Sequence, residues 1–185
     1  MSPWLRLLRP AHWIKNLVCL AGVLFYQQWG QIAPALGVML AFALVSSTVY
    51  IINDIADIER DRRHPKKKTR PLAAGTIQPT TAGMVALILA SSALTLAFVL
   101  NFKSGCCCAA YLVINLAYSF KLKHLPIADA FCIAFGFILR LLAGIYVLDQ
   151  LPVSWLMLFT FFLSLFLGFA KRRAELVAIE EANTV

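Results

Sequence analysis

A chain of 185 residues that is 61% hydrophobic, only 14% charged and has a mean hydropathy of +0.77 departs from soluble domains, where about a quarter of residues are charged. That composition excludes a water-soluble globule and points to an integral membrane protein. The net charge of +8 is then first a matter of membrane topology, and no nucleic-acid partner is expected from it.

In chain order, residues 1–16 form an amphipathic start with Trp4, Arg6, Arg9, Trp13 and Lys15, interrupted by Pro10. Trp and Arg together at the edge of a span mark an interfacial anchor. No short signal peptide with a small-residue cleavage site is expected before the first span. Hydropathy predicts one all-α transmembrane domain over residues 1–185, with spans at about 13–28, 32–52, 82–100, 106–120, 127–148 and 153–170. The first is short for a bilayer core of ~30 Å, which is why its start is placed near Trp13. Thr80 or Thr81 is expected to cap the third span, and Lys171-Arg172-Arg173 to stop the sixth. Cys19, Cys106, Cys107, Cys108 and Cys132 lie in apolar segments without zinc-like spacing and read as small hydrophobes.

The end of the second span is different in kind. On a helix, Asn53, Asp57 and Asp61 fall at i, i+4, i+8, and Asp54 joins Asp57 and Asp61 at i, i+3, i+7. One face thus carries three carboxylates and an amide. Such a face needs a cation between its charges, and hard oxygen ligands with open positions suit Mg²⁺. Arg62, Arg63, Lys66, Lys67, Lys68 and Arg70 follow directly, with His64 among them. This run has two readings: a topology signal beside a membrane helix, or a set of donors for phosphate oxygens that the metal leaves free.

A second constellation sits on the fifth span, where Asp129, Gly136 and Arg140 are spaced by seven and four residues and share a helix face. An arginine at membrane depth faces a cavity or a partner. Arg140 therefore either pairs with a carboxylate elsewhere in the bundle or meets an anionic substrate group. Tyr118, Lys121 and Lys123 lie at the level of Asp129, while His12 and His124 read as interfacial. With six spans, 15 of the 17 Lys and Arg fall on one side of the membrane. The positive-inside rule makes that side cytoplasmic, with the protein in the inner or plasma membrane.

The pattern Asn53-Asp54-x-x-Asp57-x-x-x-Asp61 followed by Arg70-Pro71-Leu72 resembles the first aspartate-rich motif of the UbiA superfamily of intramembrane prenyltransferases. Further stretches resemble its decaprenyl-phosphate phosphoribosyltransferase branch. They are Arg9-Pro10-x-x-Trp13-x-Lys15-Asn16, Asp61-Arg62-x-His64-Pro65-x-Lys67-x-x-Arg70-Pro71, Tyr118-Ser119-x-x-Leu122-Lys123-His124, then Asp129 and Gly136-Phe137-x-x-Arg140. The common prenyltransferases carry a second DxxxD motif, where this chain has only Asp129, and this favours the phosphoribosyl branch. The resemblance implies a bundle of about nine helices, of which this chain holds about six. The remaining wall would come from a second copy or a separate chain.

The resemblance also implies a reaction. Asp54, Asp57 and Asp61 would hold Mg²⁺ on the leaving diphosphate of 5-phosphoribosyl 1-diphosphate. A polyprenyl monophosphate in the bilayer would be the acceptor. Lys15, Asn53, Arg62, His64, Lys67, Arg70, Tyr118, Lys123, Asp129 and Arg140 would line the substrates. Two alternatives stand beside it: a prenyl diphosphate donor with an aromatic acceptor, and a non-catalytic membrane remnant.

Overall fold

The computed structural model describes residues 2–120 and 126–183, with side chains described for the same residues except 120, 126–129, 171 and 175–183. Every regular element among them is helical. A short α1 (Pro3–Leu8) precedes a 3₁₀ segment, Pro10–Leu20, which runs on into α2 (Ala21–Phe25). Then come α3 (Ile32–Ala56), α4 (Ile58–Arg63), α5 (Pro79–Leu100), α6 (Phe102–Phe120), α7 (Pro126–Tyr146) and α8 (Ser154–Asn183). Stretches of 28, 22 and 21 residues, at Trp29–Ala56, Pro79–Leu100 and Ser154–Ala174, are long and apolar enough to cross a membrane.

α3 is the centre of the bundle: 61% of its apolar window is buried, against 17% for α5 and 18% for α8. The core along it is built from Val38, Phe42, Val45 and Val49, closed by Cys108 and Tyr111 of α6, by Ala143 of α7 and by Val147 just after it. Between membrane helices there is no bulk hydrophobic drive, so small residues that allow close approach decide the contacts. Accordingly, the buried residues of α5 are all alanines, Ala82, Ala86, Ala93 and Ala97, on one face. Thr48 of α3 donates across this seam to the Ala86 carbonyl at 3.4 Å. Ser104 at the start of α6 donates to the Ala143 carbonyl of α7 at 2.8 Å, inside the core.

The N-terminal segment crosses α7 at glycine. A Cβ on Gly144 would collide with the Cys19 carbonyl, and one on Gly22 would lie 3.1 Å from the Gly144 oxygen. Backbone therefore meets backbone here. The 3₁₀ winding is the second device. Eleven residues at ~2.0 Å and five at ~1.5 Å reach about 30 Å, whereas sixteen α-helical residues would reach only ~24 Å. The short first apolar segment gains its length by tighter winding, starting at Pro10 instead of near Trp13.

Two expectations are corrected. Gln78 stands at the N-cap of α5 without a side-chain cap bond and Pro79 takes the first helical position, so neither Thr80 nor Thr81 caps it. Proline is favoured at the first helical position, which puts the cap at position 78, ahead of both threonines. α8 itself runs on past the basic triplet at 171–173 to Asn183, since lysine and arginine end an apolar stretch but are good helix formers. Finally, the acidic stretch is not one continuous helix. α3 ends at Ala56, Asp57 has φ −103° and ψ 9°, and α4 begins at Ile58.

Candidate functional site

The break at Asp57 keeps the acids together. Asp54 on α3 and Asp61 on α4 are both 2% exposed. Two buried carboxylates need cations, and the chain supplies them from two distant places. Arg9 donates through Nη2 to Oδ1 of Asp54 at 2.6 Å and to Oδ2 at 2.8 Å. Arg70 donates through Nη1 to Asp54 Oδ1 at 3.0 Å and to Asp61 Oδ2 at 2.7 Å, bridging the pair. Asp57 is half-buried at the break itself, and Asn53 is half-buried on α3.

Local structure explains both arginines. Arg70 opens a turn pinned by Leu72 and Ile77, which are buried with Leu7 and Ile51. Thr76 donates to the Pro71 carbonyl at 2.9 Å and Gly75 takes φ +73°, closing the turn. Arg9 is the hinge between α1 and the 3₁₀ segment and adopts a left-handed conformation, φ 52° and ψ 57°. Pro10 after it disfavours the right-handed helical region, and the double bond to Asp54 offsets the cost of roughly 1–2 kcal/mol. Its guanidinium also lies 4.9 Å above the Tyr50 ring, which His12 meets edge-on. Arg6, Arg9, His12, Asp54, Thr69 and Arg70 line an open recess of about 520 Å³.

Tyr50, one helical turn or about 6 Å from Asp54, is also a wall of a second cavity. This one, about 160 Å³, is lined by Lys15, Tyr50, Tyr111, Asn115, Tyr118 and Arg140. Arg140 is 6% exposed and has no carboxylate partner among the described residues. It donates from Nε to Asn16 Oδ1 at 2.7 Å, from Nη1 to the Gly136 carbonyl at 2.9 Å and from Nη2 to the Tyr111 hydroxyl at 2.8 Å. Of the two expectations for Arg140, the internal ion pair is therefore not what these residues form.

Of the other expected site residues, Arg62 turns to Glu59 at 2.8 Å on the surface. His64 accepts through Nδ1 from the amides of Lys66 and Lys67 at 3.2 and 3.3 Å, shaping the basic loop. Lys67 is exposed on that loop. Lys123 and the side chain of Asp129 lie outside the described residues. From the sequence, Arg9 reads only as an interfacial anchor and, with Asn16, as part of a motif without a site role, and Tyr50 and Tyr111 are not singled out. The signal for Arg9 was available, since a buried carboxylate at Asp54 needs a cation, but nothing in the chain order selects one 45 positions away.

Asp54, Asp57 and Asp61 are not gathered as a bare metal cage: no group of three His, Cys, Asp or Glu among the described residues is placed to hold an ion. Arg70 stands between the two buried carboxylates instead. Mg²⁺ is commonly bound by one or two carboxylates together with substrate phosphates, and the donor set here fits that arrangement. The same guanidiniums are suited to phosphate oxygens.

The profile of the UbiA prenyltransferase family matches residues 16–180. A decaprenyl-phosphate phosphoribosyltransferase of Mycolicibacterium smegmatis is 36% identical over 99% of this chain and 60% of its own length. Another, from Corynebacterium glutamicum, is 35% identical over 97% of this chain and 56% of its own. The chain thus spans about 60% of the length of these relatives. A solved UbiA homolog from Archaeoglobus fulgidus, bound to GPP and Mg²⁺, superposes with a TM-score of 0.76 at 25% identity, over 89% of this chain and 60% of that one. With apolar helices packed through small residues and a family profile covering nearly all of them, this integral membrane protein belongs to the UbiA prenyltransferase family.

Proposed function

We propose that this chain carries the site of a Mg²⁺-dependent transferase moving 5-phosphoribose from 5-phosphoribosyl 1-diphosphate to a polyprenyl phosphate of decaprenyl type. The site faces the cytoplasm from the plasma membrane and serves synthesis of cell-envelope precursors. The observation that carries this reading is Arg140, a buried cation with neutral partners only among the described residues, in a cavity one helical turn from Asp54. A prenyl diphosphate with a neutral aromatic acceptor calls for cations in one place. A donor with a diphosphate at one end and a phosphate at the other, meeting a phosphorylated acceptor, calls for them in two. The name carried by the mycobacterial and corynebacterial relatives supports the same choice.

Asp54 and Asp61 would hold the metal, with Asp57 at the break beside them. When bound, Mg²⁺ supplies neutralisation of the departing diphosphate as the anomeric bond breaks. Arg9 and Arg70 neutralise the acids and are placed to exchange a carboxylate for diphosphate oxygens, to which a guanidinium binds in bidentate fashion. Lys67, on the loop above, adds a further charge. Arg140 and Lys15 receive the second phosphate. The acceptor oxygen is already anionic, attacks the anomeric carbon directly and has no proton to lose, so no general base is required.

The test is a product assay on the full chain in proteoliposomes, with labelled phosphoribosyl diphosphate and decaprenyl phosphate. Label is expected in a lipid-extractable, Mg²⁺-dependent product. A folded protein that instead transfers label from a prenyl diphosphate to an aromatic acceptor overturns the assignment.

A further inference from the structure

Arg140 has five N–H donors, and three of them are used, each by a neutral acceptor. Two remain, one on each terminal nitrogen. The ring of Tyr111 lies 4.5 Å from the guanidinium carbon, Phe137 5.6 Å and Phe42 5.9 Å. Aromatic faces hold a cation in place without neutralising it. The group is thus fixed by shape and dipoles, while its charge stays available to the cavity that it lines.

Asn16 is the odd partner in this set. Its side chain is wholly buried, its Oδ1 accepts from Arg140 Nε, and its Nδ2 has no hydrogen-bond partner. Were position 16 there only to anchor Arg140, aspartate would do so better. It has the same shape, adds an ion pair and leaves no orphaned amide hydrogens in the core. Asparagine does the anchoring and leaves the positive charge unspent, at the expense of an unsatisfied donor.

We infer that Asn16 is a positioning and selectivity residue, and that its neutral amide is what keeps the Arg140 cavity a receptor for a phosphate monoester. This rests on the reading of that cavity as the second phosphate site. The phosphate can come from the ribose 5-position of the donor or from the headgroup of the polyprenyl acceptor; both present the same dianion. In Asn16→Asp the guanidinium pairs internally, the two spare donors face a neutral ion pair, and the incoming anion meets a carboxylate.

The experiment uses the full chain in nanodiscs with inorganic phosphate as the probe, read as the rise of the melting temperature with phosphate concentration. The wild-type chain is expected to show a saturable rise. Asn16→Asp should melt no lower than wild type without phosphate and need about tenfold more phosphate, or higher, for the same rise, a change of ~1.4 kcal/mol in binding. Arg70→Gln, which removes a cation from the other recess, should keep the phosphate response. A role in folding alone would lower the melting temperature and leave the response intact.

An unchanged phosphate response in Asn16→Asp overturns the inference, as does a wild-type chain with none. Loss of the response in Arg70→Gln but not in Asn16→Asp overturns it too, because the anion then sits at the Arg9–Arg70 recess. If Asn16→Asp does not fold, Arg140→Gln takes its place: it removes the charge and keeps an amide, and a response that survives it overturns the inference. In the transfer assay, a KM rise in Asn16→Asp confined to the donor identifies the ribose 5-phosphate, and one confined to the acceptor identifies the polyprenyl phosphate. A phosphate response that behaves as expected in a chain without any transfer leaves this inference standing and sinks the proposed reaction alone.

Discussion

Asp54 and Asp57 lie one turn apart and their substitutions separate stability from chemistry. Asp54 is the anion for both Arg9 and Arg70, so Asp54→Asn strands two guanidiniums. Removing one member of a buried pair costs about 3–5 kcal/mol, but these arginine side chains are 21% and 26% exposed, and solvent screening lowers the expected loss to about 2 kcal/mol. Asp57, half-buried at the break, is expected to fold as Asn while Mg²⁺-dependent transfer is abolished. Melting curves and the labelled-donor assay check both; a fully active Asp57→Asn removes that residue from the metal set. For Arg140 the sign is in KM: Arg140→Ala should raise it for one phosphorylated substrate. Arg140→Lys should recover only part, because an ammonium cannot reproduce the fork of a guanidinium. Loss of protein yield with unchanged kinetics in the surviving molecules would make Arg140 purely structural.

The packing of whole segments rests on two glycines that behave oppositely. Gly144 lets the 3₁₀ segment run against α7, and that crossing brings Asn16 to Arg140. Gly144→Ala forces the backbones apart and is expected to cost about 1–3 kcal/mol and to weaken phosphate binding with it. Gly83, in the first turns of α5, has nothing within 4 Å of a built Cβ. Gly83→Ala should therefore stabilise by up to ~1 kcal/mol through helix propensity. Thermal unfolding of the two variants side by side measures the difference; equal effects would mean that the crossing at Gly144 is not tight. The 3₁₀ winding belongs to this scale too, since it determines where along the segment Lys15 and Asn16 meet the cavity.

For the molecule as a whole, α3 is sheathed by the other helices, while α8 turns Phe159, Phe162 and Phe166 outward, each at least 59% exposed. Such a surface is at home against lipid tails or another apolar helix, and no charged side chain interrupts it between Ser154 and Ala170. The acidic pair, the basic loop and the N-terminal Arg6 and Arg9 gather at one end of this bundle. Under the proposed topology, that end faces the cytoplasm. A cysteine introduced at Thr69 should then react with a membrane-impermeant thiol reagent from the cytoplasmic side of sealed vesicles, above the background of the native cysteines. One introduced at Gly30 should not. Labelling of both from one side would overturn the topology and the placement of the site with it.

Hydropathy alone determined that this is a helical membrane protein and roughly where its helices lie, because burial in lipid demands long apolar runs that satisfy their own backbone. Spacing and charge also singled out Asp54, Asp57, Asp61 and Arg140, since charges are rare in such a chain and each needs a reason. Pairing was decided only in three dimensions. Arg9 meets Asp54 across 45 residues and Asn16 meets Arg140 across 124, and no local period encodes such distances. Between membrane helices, register follows from where small residues let backbones touch, as at Gly144 and Cys19. The break at Asp57 and the 3₁₀ winding after Pro10 are of the same origin, for both are local geometries whose sequences would also have allowed a plain α-helix. Tertiary contacts chose between them.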